Sequence, residues 1–333
     1  MKKSIMRPLC ILAVFTLMAL LRLPMSPANE LMPPIHPDEA EILLAIIGVE
    51  GHQVEAAEMP GWARGGIIKR LAEHGVATEG LQAWSVRGVE KPALFLSCVY
   101  NSDGRVLALS GNGPWLRDDS LRSLVGMPEL RLISIDHNGF LRNHPQSPLY
   151  SGAGFDALVD SKLVEVKLTL GINDGGLKAL ANLHGLKTLK VVHSQVTDEG
   201  LKFLEGHPGL ESFTVAEMGK VTQAALGSIA KMPNVTRVGF QEAFITYDDG
   251  FALLAPMQGR LQELDLSMSI VNDEDLHRVQ ADHPDAKITI LPPAEIVKRH
   301  SGVAKSLARI ATGDAAKKLA DAIADDQAQN QKK

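Results

Sequence analysis

Cysteine is nearly absent from the 333 residues, occurring only at positions 10 and 98. That rules out a disulfide framework and a cysteine-based zinc set. Aromatic residues make up 5%, too few for the stacking rings expected of a sugar-binding face. The net charge is −5, with no cluster of Lys and Arg, which argues against nonspecific binding to nucleic acid. No Gly-x-Ser-x-Gly elbow, phosphate-binding loop, His-Glu-x-x-His site or calcium loop occurs. The 11 histidines are scattered, and His207 and His283 stand at equivalent helix exits before proline, which suits structural roles. No catalytic residue, metal ligand or cofactor is therefore assigned, and catalysis is not expected.

The amino end carries a targeting pattern. Lys2, Lys3 and Arg7 precede an uncharged run from Leu9 to Leu21, and Ser26-Pro27-Ala28 supplies the small residues a signal peptidase reads. This predicts a signal peptide over 1–28 with cleavage after Ala28, and a secreted or envelope location. The apolar run has 13 residues, short of the roughly 18 or more of a membrane span. Cleavage would take the charge from −5 to −9 and leave Cys98 alone, a buried structural cysteine in the apolar run Leu94-Phe95-Leu96.

What the chain does have is a period. Strand-like apolar pairs fall at Leu107/Leu109, Ile133/Ile135, Val166/Leu168, Leu189/Val191, Phe213/Val215, Val238/Phe240, Leu264/Leu266 and Ile288/Ile290. Successive first anchors are 26, 33, 23, 24, 25, 26 and 24 residues apart. Between them come helix-like pairs at i, i+3, such as Leu121/Leu124, Leu177/Leu180, Leu201/Leu204 and Leu226/Ile229. Asn173, Thr197 and Asn272 stand where helix caps belong, and Met127-Pro128, His207-Pro208, Met232-Pro233 and His283-Pro284 end the helices. Eight units are visible.

The stretch Val196-Thr197-Asp198-Glu199-Gly200-Leu201 with Leu204, framed by Leu186, Leu189, Val191 and Leu210, resembles the cysteine-containing, ribonuclease-inhibitor-like leucine-rich repeat family. Ile245-Thr246-Tyr247-Asp248-Asp249-Gly250-Phe251 repeats that motif with substitutions. The resemblance implies an α/β leucine-rich repeat solenoid, a horseshoe with a concave parallel sheet and convex helices, and it implies protein binding. Members include secreted bacterial proteins and ubiquitin-ligase substrate receptors; the targeting pattern disfavours the latter. The chain departs from the family at the ninth repeat position. Asn112 and Asn138 are followed there by Gly171, Ser194, Met218, Ala243 and Ser269, so the usual ladder of turn-bonding side chains is expected to be mostly missing.

The expected organisation is a signal peptide over 1–28, a helical cap over 29–90, the repeats over 91–291 and a helical flank with a polar tail over 292–333. In the cap, Asp38 is placed to start one helix and a second spans Gly66 to His74. Asn101-Ser102-Asp103-Gly104 is the turn of a hairpin. In the flank, Val303, Leu307 and Ile310 share one helix face and Ala315, Leu319 and Ile323 another.

Function is expected on the concave face. The candidate binding residues beside the anchors are Lys167, Lys190, His193, Thr214, Glu217, Gln241, Glu242 and Asp265, basic in the middle units and acidic later. A second candidate is the stretched unit, where 22 residues separate Ile133 from Phe155 against 11–14 elsewhere. Phe140, Leu141, His144 and Tyr150 are expected there on a protruding contact loop. The expected partner is a protein or peptide; a structural role in an envelope assembly, held through the terminal flanks, is the alternative.

Overall fold

Each strand carries two inward apolar side chains, and each connecting segment returns the chain one strand further along, so a repeating sequence becomes a repeating sheet. The computed structural model describes residues 34–48, 53–89, 95–112, 117–136, 150–169, 171–216 and 220–330. The segment expected to be a signal peptide and residues Phe140, Leu141, His144 and Glu217 lie outside these. Among the described residues the main sheet has eleven strands. Its first four, β1 (Val54–Ala56), β2 (Gln82–Gly88), β3 (Phe95–Tyr100) and β4 (Val106–Asn112), run antiparallel, with the expected hairpin between β3 and β4. Then come the parallel strands β5 (Leu132–Asp136), β6 (Glu165–Thr169), β7 (Thr188–Val192), β8 (Ser212–Ala216) and β9 (Arg237–Gln241). After the small strand β10 (Phe244–Ile245) the main sheet resumes with β11 (Glu263–Leu266), and after β12 (Ile270–Val271) it ends with β13 (Lys287–Ile290). β10 and β12 pair with each other in a separate parallel ladder.

The register is continuous: Leu109, Ile133, Val166, Leu189, Phe213, Val238, Leu264 and Ile288 stand side by side. This corrects the first expected anchor pair, Leu107/Leu109, because the residues aligned with Ile133/Ile135 are Leu109/Gly111. The cause is a bulge opposite Val99 and Tyr100, where Leu107 is the extra residue. Leu107 packs in a second core on the other face of the sheet. The remaining anchors hold, and with the helices they build the main core, in which Phe155, Phe213, Phe240 and Phe251 are fully buried.

Convex segments are short because only two side chains per unit face inward. They include α-helices at Asp118–Ser123, Asp174–Leu180 and Asp198–Leu201. The sequence-predicted caps Asn173 and Thr197 accept backbone N–H bonds, from Gly175 and Gly176 and from Gly200 respectively. Asn272 makes no such cap; its Oδ1 instead accepts the Ala315 N–H at 3.1 Å and holds the carboxyl-terminal flank. His207 is buried, its Nδ1 accepting the Gly209 and Leu210 amides and its Nε2 meeting the Leu183 carbonyl; burial pushes its pKa down.

The missing family ladder has a replacement. Asp174 in one unit accepts the N–H and Oγ1–H of Thr197 in the next, both at 2.8 Å. Asp198 does the same for Thr222 at 2.8 and 2.7 Å, and Asp118 for Ser151 across the stretched unit at 3.0 and 2.7 Å. Gln223 continues the series onto Thr246. These acids sit in first turns, where the helix dipole also favours them. Gly200 follows from the same contact, since a Cβ there would lie 2.0 Å from Asp174 Oδ1. Ser269 serves as a turn-bonding residue at the ninth position, bridging Ala243 N and Phe240 O.

The amino-terminal region is not purely helical. It contributes β1 and β2 as well as helices α1 (Pro37–Gly48) and α2 (Gly61–Glu73). α1 opens on Pro37 rather than on Asp38, and α2 begins five residues before the expected Gly66, directly after Pro60. Glu39 of α1 is fully buried and ties it to β4 through Arg105 Nη1 at 3.0 Å and Val106 N at 2.7 Å. At the other end the flanking helices, Pro293–Arg299, Ser301–Leu307 and Gly313–Asn330, bury Val303, Leu307, Ala315 and Leu319 against Ile270. Ile310, expected on that face, is 57% exposed. Cys98 is buried as expected, and desolvation together with the nearby Glu39 charge pushes its thiol pKa far up.

Replacing Asp174 by Ala leaves the half-buried Thr197 amide without its acceptor, so unfolding stability is expected to fall by about 1–3 kcal/mol, measured by urea denaturation. Asp198→Ala, whose bonds to Thr222 are solvent-exposed, is expected to cost roughly half as much.

Candidate functional site on the concave face

Side chains one position from the anchors point to the face opposite the main core. Following the register gives a single row across the sheet: Ser85, Ser97, Ser110, Ser134, Lys167, Lys190, Thr214, Gly239, Asp265 and Thr289. Its first four members are buried serines, Ser85 and Ser97 sharing a 2.7 Å hydroxyl contact. From Lys167 onward the row is polar and charged.

α2 limits how much of this face is available. Its Ile67 and Leu71 pack on Val99, Ala108 and Leu132, which lie on the same side as the row. Sequence periodicity showed the helix but not the face it covers. α2 is locked at its far end by Glu165, which accepts from Arg70 Nη1 at 2.5 Å and from His74 Nε2 at 3.1 Å. Burial alone would raise the Glu165 pKa, but the His74 hydrogen bond and the Arg70 charge hold the carboxyl below the usual range. The uncovered face therefore starts at Lys167.

Within it, Lys167 and Lys190 are directly paired neighbours in adjacent strands, and both are half-buried. Burial first, then the Lys167 charge, lowers the Lys190 pKa, while Asp265 and Glu242 pull it partly back. Thr214 leans over Gly239, whose missing Cβ would fall 2.5 Å from Thr214 Oγ1, so the middle of the face is shallow and without charge. Asp265 is held in place by Gln241 Nε2 at 2.5 Å and by the amide and hydroxyl of Ser267.

At the ends of the strands, His193 and Glu242 occupy the same repeat position, four residues after Leu189 and Val238. Among the described residues they are the only non-glycine residues in the left-handed region, at φ 51° and 62°. Such backbone costs on the order of 1–3 kcal/mol per residue. They meet, His193 Nε2 lying 3.4 Å from Glu242 Oε2, with side chains 12% and 11% exposed. Of the expected binding residues, the structure thus gathers Lys167, Lys190, His193, Thr214, Gln241, Glu242 and Asp265 on one face. Tyr150 is different: it is 9% exposed, belongs to the main core and packs on Gly171, so it is a buried anchor of the stretched unit and not a protruding contact. The pairing of His193 with Glu242 escaped sequence reasoning, although their equal repeat position was a visible signal. Among the described residues no group of three or more His, Cys, Asp or Glu side chains could hold a metal ion, and no helix is long and apolar enough to cross a membrane.

No protein-family profile and no curated protein matches the chain. Solved structures do. A leucine-rich repeat protein of Leptospira interrogans is similar at 12% identity over 50% of this chain and 38% of its own, with a TM-score of 0.33. An internalin (InlF) of Listeria monocytogenes is similar at 17% identity over 51% of this chain and 50% of its own, TM-score 0.31. Internalin C2 of the same species reaches 17% over 56% of this chain and 81% of its own, TM-score 0.34. The chain thus spans less than two thirds of the first two. The sheet register and the helices that return the chain from strand to strand define the leucine-rich repeat architecture.

Arg70→Ala is expected to lower stability by about 2 kcal/mol, because it strips one partner from a buried carboxylate. Hydrogen exchange in α2 should rise more than in β7 to β9. The Glu165 contribution is present above its unfolded pKa, near 4.5, and is lost as pH falls through its lower folded value, so the wild-type advantage over Arg70→Ala should shrink in acid.

Proposed function

We propose that the chain is an extracytoplasmic protein- or peptide-binding module, without catalytic activity, that engages its partner through the uncovered part of the concave face. The observation carrying this reading is the half-buried row from Lys167 to Asp265, where like charges stand in neighbouring strands and two non-glycine residues keep left-handed backbone beside them. A scaffold optimised only for stability gains nothing from such features, whereas binding surfaces commonly carry them. The basic, apolar amino-terminal segment with Ser26-Pro27-Ala28 supports delivery out of the cytoplasm.

Affinity capture from the extracytoplasmic fraction, using the chain from residue 29 onward, tests the reading. A specific partner is expected whose affinity drops at least tenfold, about 1.4 kcal/mol, when Lys167, Lys190 and Asp265 are changed to Glu, Glu and Lys. Undiminished capture of every partner would remove the concave face from consideration. Terminal sequencing of the natural protein is expected to begin at Asn29; a chain starting at Met1 would contradict cleavage after Ala28 and leave the segment as an anchor.

A further inference from the structure

We propose that the turn at His207 is an acid-sensitive latch between two repeat units, closed by a neutral imidazole and opened when that ring takes up a proton. Each unit must close the turn that leads into its strand. In four of them a main-chain carbonyl does so: Met127, Leu183, Met232 and His283 accept the amide three residues on, from Leu130, Leu186, Val235 and Ala286, at 3.2, 2.8, 3.4 and 3.1 Å. The unit of β8 is built differently. Its Leu210 amide, together with that of Gly209, donates to Nδ1 of the His207 ring, both at 3.1 Å.

The protonation state follows from these bonds. Nδ1 accepts two N–H groups and so carries no hydrogen, which leaves the ring proton on Nε2, 3.2 Å from the Leu183 carbonyl. All three contacts require that neutral tautomer. A proton added to Nδ1 would point at two amide hydrogens, and the residue is only 3% exposed, so the charge finds no water either. Among the described residues the one ionisable group acting on the ring's charge is His184, whose own ring lies 6.3 Å away edge to face, and a second cation there only opposes protonation. Glu205, two residues before, is taken by Lys231 of the following unit at 3.1 Å, and Glu211, beyond the turn, pairs with Lys187 at 3.2 Å. Neither carboxylate is free to hold an imidazolium.

The fold does not call for a histidine here. The same buried slot holds Met127, Leu183 and Met232 in other units, where an apolar side chain leaves the carbonyl to close the turn. Nor does the bonding need a group that titrates: Asn173 Oδ1 accepts the amides of Gly175 and Gly176, two and three residues on, the pattern that His207 makes. What the imidazole adds is sensitivity to acid at a joint. His207 ties the turn that feeds β7 to the turn that feeds β8, and these strands carry Lys190 and Thr214 side by side in the concave row. Protonation breaks three bonds at once. The latch is fully formed above about pH 6.5, the value of a solvated histidine in the opened turn, and loosens as pH falls below it, because the opened turn then binds the proton that the closed one refuses. It reaches the face proposed for binding, but it operates whatever that face holds.

The test is amide hydrogen exchange on the full chain, read as protection factors at about pH 7.5 and about pH 5.5. Protection of the Gly209 and Leu210 amides is expected to fall at least threefold between the two, with about tenfold the limit that one proton and a pKa near 6.5 allow. Over the same interval the Leu130 and Val235 amides, whose turns are closed by carbonyls, are expected to change less than about twofold. The fall should vanish in His207→Asn, which keeps an acceptor but cannot titrate, and in His207→Met, and it should persist in His184→Gln. No fall at Gly209 and Leu210, an equal change at all four amides, a fall that survives both His207 variants, or one abolished by His184→Gln would each overturn the latch. Where the variants fail to fold, the wild-type contrast between the two sets of amides decides alone.

Discussion

One register of parallel hydrogen bonds, held from β4 to β13, decides what each side chain in the repeats can do. Side chains alternate along a strand, so a slip of one residue in any unit would send its anchors to the solvent face and its polar residue into the core. The anchors Val166, Leu189, Phe213, Val238 and Leu264 are all buried, which makes such a slip costly by the transfer energy of two large side chains, about 3–6 kcal/mol per unit. Because the register does not slip, the row beside the anchors is equally fixed, and a charged surface with a defined spacing becomes possible.

Register alone does not hold successive turns together, and here the chain departs from the usual leucine-rich repeat solution. The carboxylates of Asp118, Asp174 and Asp198 each reach into the next unit, where they accept the amide and hydroxyl of Ser151, Thr197 and Thr222. One residue thereby serves its own helix terminus and its neighbour's turn, and the bonds are charge-assisted. The arrangement tolerates the stretched unit, since Asp118 still reaches Ser151 across 33 residues. It also explains the glycine in Thr197-Asp198-Glu199-Gly200, a position that must leave room for the Asp174 carboxylate.

Much of this was legible in the sequence, and the failures have local causes. The anchors from Ile133 on are readable because buried strands must show apolar pairs at a steady period. Leu107 misleads because a bulge adds a residue without disturbing the hydrophobic pattern on either side. α2 is amphipathic in either placement, so its pattern cannot say that Ile67 and Leu71 meet the concave face instead of closing the end of the solenoid. Tyr150 reads as a loop aromatic, but the left-handed Gly171 beside it opens the space that takes its ring into the core. The charged residues of the concave row were visible one by one. Their grouping, and the meeting of His193 with Glu242 across an intervening unit, depends on distances that only the folded sheet supplies.

The position of α2 gives the polar row of this scaffold a boundary. Without that helix the concave face would offer a continuous polar row from Ser85 to Thr289, with nothing to fix where a ligand begins. With it, the serine half is buried, the Glu165 carboxylate is consumed in holding Arg70 and His74, and the row beyond them opens with two lysines paired in neighbouring strands. The ion pair that seals the cap therefore also takes the Glu165 carboxylate out of the accessible part of the row, whose geometry the repeats keep fixed.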